Sequence, residues 1–265
     1  MNNMNILEFD KVFFNYSDSG RDGNYLLENL SLAIPSGEIV SILGPNGSGK
    51  TTLLRLFSGY LKPNKGSVLL NQKNINEYSR NEIAKNLAFV SQINDLIFPY
   101  SVFQLVAMGR NPYMGNSLFE SYEDLDIIDK YLELFELKKL KDKPIDKISG
   151  GELQRVYLCR ALVQQPKILL MDEPVSHLDI KHQLSSYKIL KEMNREIGLT
   201  IVLVSHDLNL SMRFSDRLVM IKKGKMVFNS NPNNLTSAEL IHETFEVESE
   251  IVRSRSGKLY FLMGE

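Results

Sequence analysis

The chain has 265 residues, with 31 Lys plus Arg against 32 Asp plus Glu and a formal charge of −1. A chain this close to neutral has no global field to gather nucleic acid or to coat an anionic membrane. Its 43% apolar and 24% charged residues exclude disordered and fibrous classes, and the single Cys159 excludes an internal disulfide framework and a cysteine-cluster metal site.

At roughly 150 residues per domain, the length allows one large domain or two small ones. Residues 1–10 have neither a basic nor an apolar stretch of the kind a secretion signal needs. No apolar run approaches the roughly 20 residues of a membrane helix. Work at a membrane would therefore require a partner that supplies the membrane part.

In chain order, the first apolar run is residues 39–43, followed by 87–90, 168–171 and 201–204. Runs this short, and rich in branched residues, read as strands buried on both faces and hence as a parallel sheet. Capping-box spacings mark helix starts at Ser79 to Glu82, Ser101 to Gln104, Ser149 to Glu152 and Thr236 to Glu239. Apolar positions Leu125, Ile128, Leu132 and Phe135 follow helical spacing. So do Ile180, Leu184, Tyr187, Leu190 and Ile197, with Gly198 as the stop. Residues from about 95 to 160 read as a helical subdomain inserted in an α/β domain, and about 244–265 as a terminal hairpin around Ser256-Gly257.

Polar residues follow each strand at once: Gly44-Pro45-Asn46, Ser91-Gln92, Asp172-Glu173 and Ser205-His206-Asp207. Ligands of open α/β sheets bind at the carboxyl ends of the strands, so the four clusters point to one shared site.

The first cluster extends through Gly44, Pro45, Asn46, Gly47, Ser48, Gly49, Lys50 and Thr51, which fits G-x-x-x-x-G-K-[ST] between a strand and a helical stretch. Its glycines let the backbone curl so that N–H groups face an anion, and the following helix adds partial positive charge. Lys50 supplies a full charge for β- and γ-phosphates, and the Thr51 hydroxyl can ligate Mg²⁺. Asp172, ending a buried strand, suits the Mg²⁺-holding acid that partners such a loop. Glu173 is placed to polarise an attacking water. His206 is placed to reach the γ-phosphate, and Gln92 to touch Mg²⁺ or water. Cys159 reads as a small core residue. His177 and His182 lack metal-ligand spacing to any cysteine, so no zinc site is expected.

The run Ile148-Ser149-Gly150-Gly151-Glu152-Leu153-Gln154-Arg155 resembles the signature motif of ATP-binding cassette (ABC) ATPases. The order along nearly the whole chain is similar too. Tyr16 resembles the adenine-stacking aromatic, residues Gly44 to Thr52 the Walker A loop, and Gln92 the Q-loop glutamine. Residues 168–172 with Glu173 resemble Walker B, Ser176 to Asp179 the D-loop, and His206 the switch histidine. The departures are Glu152 where Gln is frequent and Ile148 where Leu is; the Glu still closes the capping box. The resemblance implies a P-loop NTPase fold with a mostly parallel sheet, an antiparallel β part and the inserted helical subdomain. In that division about 1–94 and 161–243 form the RecA-like core. It implies ATP hydrolysis with Mg²⁺. It also implies a head-to-tail homodimer in which each ATP lies between one Walker A loop and the opposing Ser149, Gly150, Gly151 and Glu152, with Asp179 contacting across the pair.

The stretches from Pro99 to Tyr113 and from Leu178 to Gln183 resemble importer subunits for iron–siderophores, haem and vitamin B12. That resemblance implies transmembrane permease subunits, an indirect link to a substrate-binding protein, and a place at the cytoplasmic face of the cell membrane. Molybdate importers share much of the pattern, and exporters or lipoprotein-release ATPases are also single cassettes. Non-transport ABC ATPases carry long coiled-coil or zinc insertions between Walker A and the signature, or two cassettes in one chain, and neither is present here. A near-neutral chain also disfavours nucleic acid as a partner. The stretch from Gln92 to about Gly109 is the expected coupling surface, with Ile97, Phe98 and Tyr100 exposed to the permease.

Overall fold

The computed structural model describes residues 4–16, 25–91, 100–115, 121–174, 179–254, 257 and 259–264. The four strands expected from the apolar runs are neighbours in one six-stranded sheet. They are β3 (Ile39–Leu43), β8 (Thr200–Val204), β7 (Ile168–Asp172) and β6 (Leu87–Val90), all mutually parallel. β9 (Arg217–Lys222) adds a fifth parallel strand beside β3, and β10 (Lys225–Ser230) closes that edge antiparallel.

Every residue of β3, β7 and β8 is buried. Their side chains divide by the strand period of two. Val40, Ile42, Ile168, Leu170, Val202 and Val204 share a core with Leu53, Leu54, Leu56 and Phe57 of α1 (Lys50–Phe57). Ile39, Leu169, Met171, Ile201 and Leu203 join a second core with α3 (Val102–Ala107), α5 (Tyr122–Leu134), α6 (Gly150–Val163) and α7 (Ile180–Ile197). With both faces covered, each of these strands needs a nearly continuous apolar run, interrupted in β3 only by Ser41, whose hydroxyl lies 2.5 Å from that of Ser215. β6, expected to be buried on both faces, is instead the sheet edge and exposes Phe89.

The antiparallel part is a four-stranded sheet in the order β2-β1-β4-β5: Leu27–Pro35, Asn5–Phe14, Lys65–Leu70 and Lys73–Asn74. It covers the outer side of α1, where Phe9 stacks on Phe57 with ring centroids 3.9 Å apart. Apart from the Phe13-Phe14 end of β1, no apolar run as long as those of the parallel strands marks these strands in the sequence. Register shifts after Phe9 and left-handed backbone at Lys11 and Asn29 break their alternation. The terminal hairpin is present as β11 (Ser249–Arg253) and β12 (Leu259–Met263).

The boxes at Ser79, Ser101 and Ser149 form as expected on α2 (Arg80–Asn86), α3 and α6. A further box, Ser121 with Asp124, starts α5; Asp in place of Glu hid it. The fourth expected start is displaced by one residue. Ser237, not Thr236, caps α9 (Ala238–Phe245), its hydroxyl accepting from the Leu240 N–H. Three apolar helix positions also differ from expectation. Leu125, Ile180 and Ile197 are exposed, because Ile128, Tyr131 and Leu132 fill the core side of α5 and Tyr187, Leu190 and Met193 that of α7.

The Gly109-to-Tyr113 stretch, which runs into α4 (Asn111–Met114), is a clamp between helices. Gly109 lies so close to α6 that a Cβ there would meet the Arg160 carbonyl oxygen at 2.2 Å. Arg110, 4% exposed, donates from Nε to Asp124 at 2.7 Å and from its guanidinium to the Val163 carbonyl at 2.8 Å. The guanidinium lies 4.1 Å from the Tyr113 ring centroid. Tyr100, expected to be exposed, is half-buried against the helical core, and its carbonyl accepts the Ile145 N–H at 2.9 Å. Its neighbours Ile97 and Phe98 lie outside the described residues.

Candidate functional site

Three of the four strand ends converge on one site. β3 runs into the loop Gly44 to Gly49, in which Gly44, Gly47 and Gly49 all have positive φ. Gly44 cannot be replaced without moving the sheet, since a Cβ would stand 2.1 Å from the Ile221 carbonyl oxygen of β9. Gly49, with φ 99°, is the N-cap of α1, so the helix starts with its N–H groups directed into the loop. Asn46 and Gly47 are exposed, Pro45 is half-buried and Ser48 is buried. The Ser48 hydroxyl has no partner among the described residues. Such a loop is a cradle for an anion.

Lys50, 6% exposed, folds back over the loop, donating to the Gly44 carbonyl at 2.8 Å and the Pro45 carbonyl at 3.0 Å. Burial lowers its pKa, against the pull of Glu173 and then Asp172. Asp172 closes β7 on the neighbouring side. Burial pushes its carboxyl above the ordinary range; the Thr51 hydroxyl opposes this, Glu173 adds to it, and Arg55 and Lys50 oppose it. One Asp172 oxygen is buried with no hydrogen-bond partner among the described residues. An unpaired buried carboxylate oxygen beside a hydroxyl is a donor set that suits a hard divalent cation.

Glu173 follows in left-handed backbone, φ 51°, a costly conformation for a side chain with a Cβ. Its N–H bonds the Val204 carbonyl of β8 at 3.2 Å, which turns the carboxylate toward the next strand end. There His206 Nε2 lies 2.5 Å from Glu173 Oε1. Asp207 then caps α8 (Leu208–Phe214) through the Leu210 N–H at 2.8 Å. Tyr16 is 58% exposed, with its ring edge on Phe14 and its hydroxyl 3.0 Å from the Thr52 hydroxyl. An aromatic face is thus presented to solvent beside the helix that follows the loop.

The signature residues sit in the other layer. Ser149 caps α6: its N–H bonds Glu152 Oε2 at 2.7 Å and its hydroxyl accepts the Glu152 N–H at 3.3 Å. The Ser149 N–H, and the Ser149 hydroxyl donating to the same Oε2 at 2.8 Å, hold the Glu152 carboxyl below its usual range. Ser149 and Gly150 are exposed and Gly151 is half-buried. α6 packs on α3 and α5, whereas α1 packs on β7 and β1. Within one chain the two anion surfaces therefore belong to different layers. Asp179 caps α7, accepting from the His182 N–H and ring Nδ1, each at 2.9 Å. Gln92 and Ser176 lie outside the described residues. Cys159 is buried, and burial pushes its thiol pKa far up.

Sequence reasoning gave no role to Gln154, which is buried on α6 and donates to the Pro174 carbonyl beside Glu173. Its signal was present: a polar residue on the helix stripe shared by Leu158 and Leu162.

A family model described as ABC transporter matches residues 27–176. The petrobactin import ATP-binding protein FpuC of Bacillus anthracis is 35% identical over 256 residues, covering 97% of this chain and 92% of that relative. The hemin import ATP-binding protein HmuV of Escherichia coli O157:H7 is 37% identical over 238 residues, covering 87% of this chain and 90% of that one. Among solved structures, an ABC transporter described as metal-chelate type, in an inward-facing conformation, superposes with a TM-score of 0.84 over 99% of this chain and 98% of its own. At 23% identity that likeness establishes the fold alone. The parallel sheet ending in a phosphate loop, the matched family model and two relatives aligned over most of their length agree: the chain belongs to the ABC transporter family, as an ATP-binding subunit that hydrolyses ATP.

Proposed function

We propose that the chain drives import of a metal chelate of the iron–siderophore, haem or cobalamin type. It would act as a head-to-tail homodimer on permease subunits at the cytoplasmic face of the membrane, served indirectly by a substrate-binding protein and without nucleic acid. The observation that carries the reading is the meeting of the phosphate loop, Asp172, Glu173 and His206 at adjacent strand ends. The importer relatives supply the transport class. No helix among the described residues is long and apolar enough to cross a membrane, so the crossing would fall to the permease.

The chemistry is positioning and charge neutralisation. The loop N–H groups and Lys50 hold the β- and γ-phosphates, and Tyr16 stacks on the base. Thr51, the unpaired Asp172 oxygen and Gln92 would hold Mg²⁺, which supplies charge neutralisation on the phosphates. Glu173 accepts a hydrogen bond from the attacking water and polarises it. His206 orients Glu173 through the 2.5 Å contact and reaches the γ-phosphate side. Ser149, Gly150, Gly151 and Glu152 present a capped helix end suited to the partner's nucleotide. Ser176 and Asp179 would contact across the pair. Two anion surfaces in separate layers of one chain are each half of a site, and a two-fold pair completes both.

The permease would dock in a cleft of about 600 Å³ lined by Arg55, Tyr60, Arg80, Ile83, Leu87 and Phe89. Tyr60 and Phe89 are its exposed apolar groups, and the cleft reaches Ser91, next to the expected coupling stretch.

The test is a pull-down from native membranes using tagged Glu173→Gln with ATP and Mg²⁺. Recovery of a polytopic permease, with a binding protein that takes a metal chelate, is expected. Recovery of only soluble or nucleic-acid partners would overturn the transport reading and leave the ATPase standing.

A further inference from the structure

We propose that Gln154 is a positioning residue that ties the signature helix to the backbone bearing Glu173, so that engagement of one nucleotide site is felt at the other. The inference rests on the roles given above to Ser149, Gly150, Gly151 and Glu173.

Gln154 lies on the second turn of α6, 5% exposed, on the stripe that Leu158 and Leu162 bury in the core. An amide at such a position is costly unless it is bonded. Its Nε2 donates to the carbonyl of Pro174, the residue after Glu173. The Glu173 turn is thus held from two sides. Its N–H is held by Val204 of β8, and the carbonyl one residue on is held by α6. At the other end of α6, the Gln164 amide donates to the Ala84 carbonyl of α2 and to the Leu87 carbonyl at the start of β6. The helix is pinned to the sheet layer by one glutamine at each end. Only the Gln154 pin lies within six residues of the Ser149 cap.

In the head-to-tail pair, the Ser149 end of α6 faces the partner's nucleotide while Glu173 serves the chain's own. The Gln154 bond joins these two surfaces inside one chain. A displacement of α6 when it engages the partner's phosphates pulls directly on the Pro174 carbonyl. Glu173 sits in strained left-handed backbone one residue away and has little freedom to absorb that pull except by moving its carboxylate. Gln154 touches neither nucleotide nor water, and acts through Glu173.

The experiment uses the full chain with Gln154→Met, which keeps side-chain length and removes the donor. Steady-state kcat is expected to fall about 10-fold, while KM and the Kd for ATP stay within about twofold. ATP-driven dimerisation, measured by light scattering with Gln154→Met placed in a Glu173→Gln background, is expected to be unchanged. Gln154→His, which keeps an N–H of similar reach, is expected to recover much of the lost kcat. Should the Met variant not fold, Gln154→Asn withdraws the donor by one methylene and is expected to show the same split. An unchanged kcat, or a loss of kcat matched by a loss of ATP binding, would overturn the proposal. Glu173→Gln alone serves as the control: normal turnover there would sink the site reading itself, whatever the Gln154 series shows.

Discussion

His206 Nε2 and Glu173 Oε1 stand 2.5 Å apart, joining the ends of two adjacent parallel strands, β8 and β7. Neither side chain is placed by its own segment alone. Glu173 is turned toward β8 by left-handed backbone and by its N–H bond to Val204, while His206 follows the polar Ser205 at the next strand end. The pair puts a carboxylate and an imidazole on the side of the phosphate loop where a water would attack.

Glu173→Gln is expected to lower ATP turnover at least about 100-fold while leaving the Kd for ATP within about threefold. His206→Ala should cost less alone, and the double variant should be no slower than Glu173→Gln, because the two act as a unit. Phosphate release against nucleotide binding measures this, and additive losses would separate the two residues.

Gly44→Ala is expected to lower Tm by several degrees and ATP affinity by more than about tenfold. The added Cβ would meet the Ile221 carbonyl oxygen at 2.1 Å, so either the loop or β9 must shift. Calorimetry with nucleotide titration reads both effects, and an unchanged affinity would count against the loop geometry.

Asp172→Asn is expected to raise the Tm of the nucleotide-free protein and to abolish the additional Tm gain that Mg²⁺ confers on ATP binding. Burial holds this carboxyl above its ordinary value of 3.8. Above that pH the unfolded chain binds fewer protons than the folded one, so stability falls as pH rises from 3.8 through the folded value. The Asn variant removes that fall, and thermal scans across the acid range in the absence of nucleotide check it.

Asp124→Ala is expected to cost about 3 kcal/mol by leaving the buried Arg110 guanidinium unpaired, with ATP affinity unaffected. Burial raises the Asp124 pKa, but the Ser121 hydroxyl and Arg110 outweigh it and the net shift is downward. The stabilisation is therefore complete above pH 3.8 and is lost as pH falls through the lower folded value. Urea unfolding of wild type and variant at neutral and acid pH should show the gap narrowing in acid.

Tyr60→Asp in the cleft beside Phe89 is expected to spare ATP binding and weaken association with the permease about tenfold or more. Co-purification from membranes measures it; undiminished association would move the docking site elsewhere.

Features encoded within a few neighbouring residues were legible before any fold was known. Short apolar runs marked β3, β7 and β8 because strands covered on both faces need them, and marked the edge strand β6 although its Phe89 is exposed. Glycine spacing marked the phosphate loop, and Ser-to-Glu spacings marked the starts of α2 and α6. Features that depend on residues far apart in the chain emerged only with packing. The antiparallel sheet was hidden because its bulges break the alternation. Arg110 meets Asp124, Tyr16 meets Thr52, Gln154 meets Pro174 and Glu173 meets His206 across intervals that carry no period or cap to announce them. Local signals persist in the chain because each is satisfied by its own turn or strand. Long-range hydrogen bonds exist only once two layers have packed, and in this protein the site is assembled from such bonds.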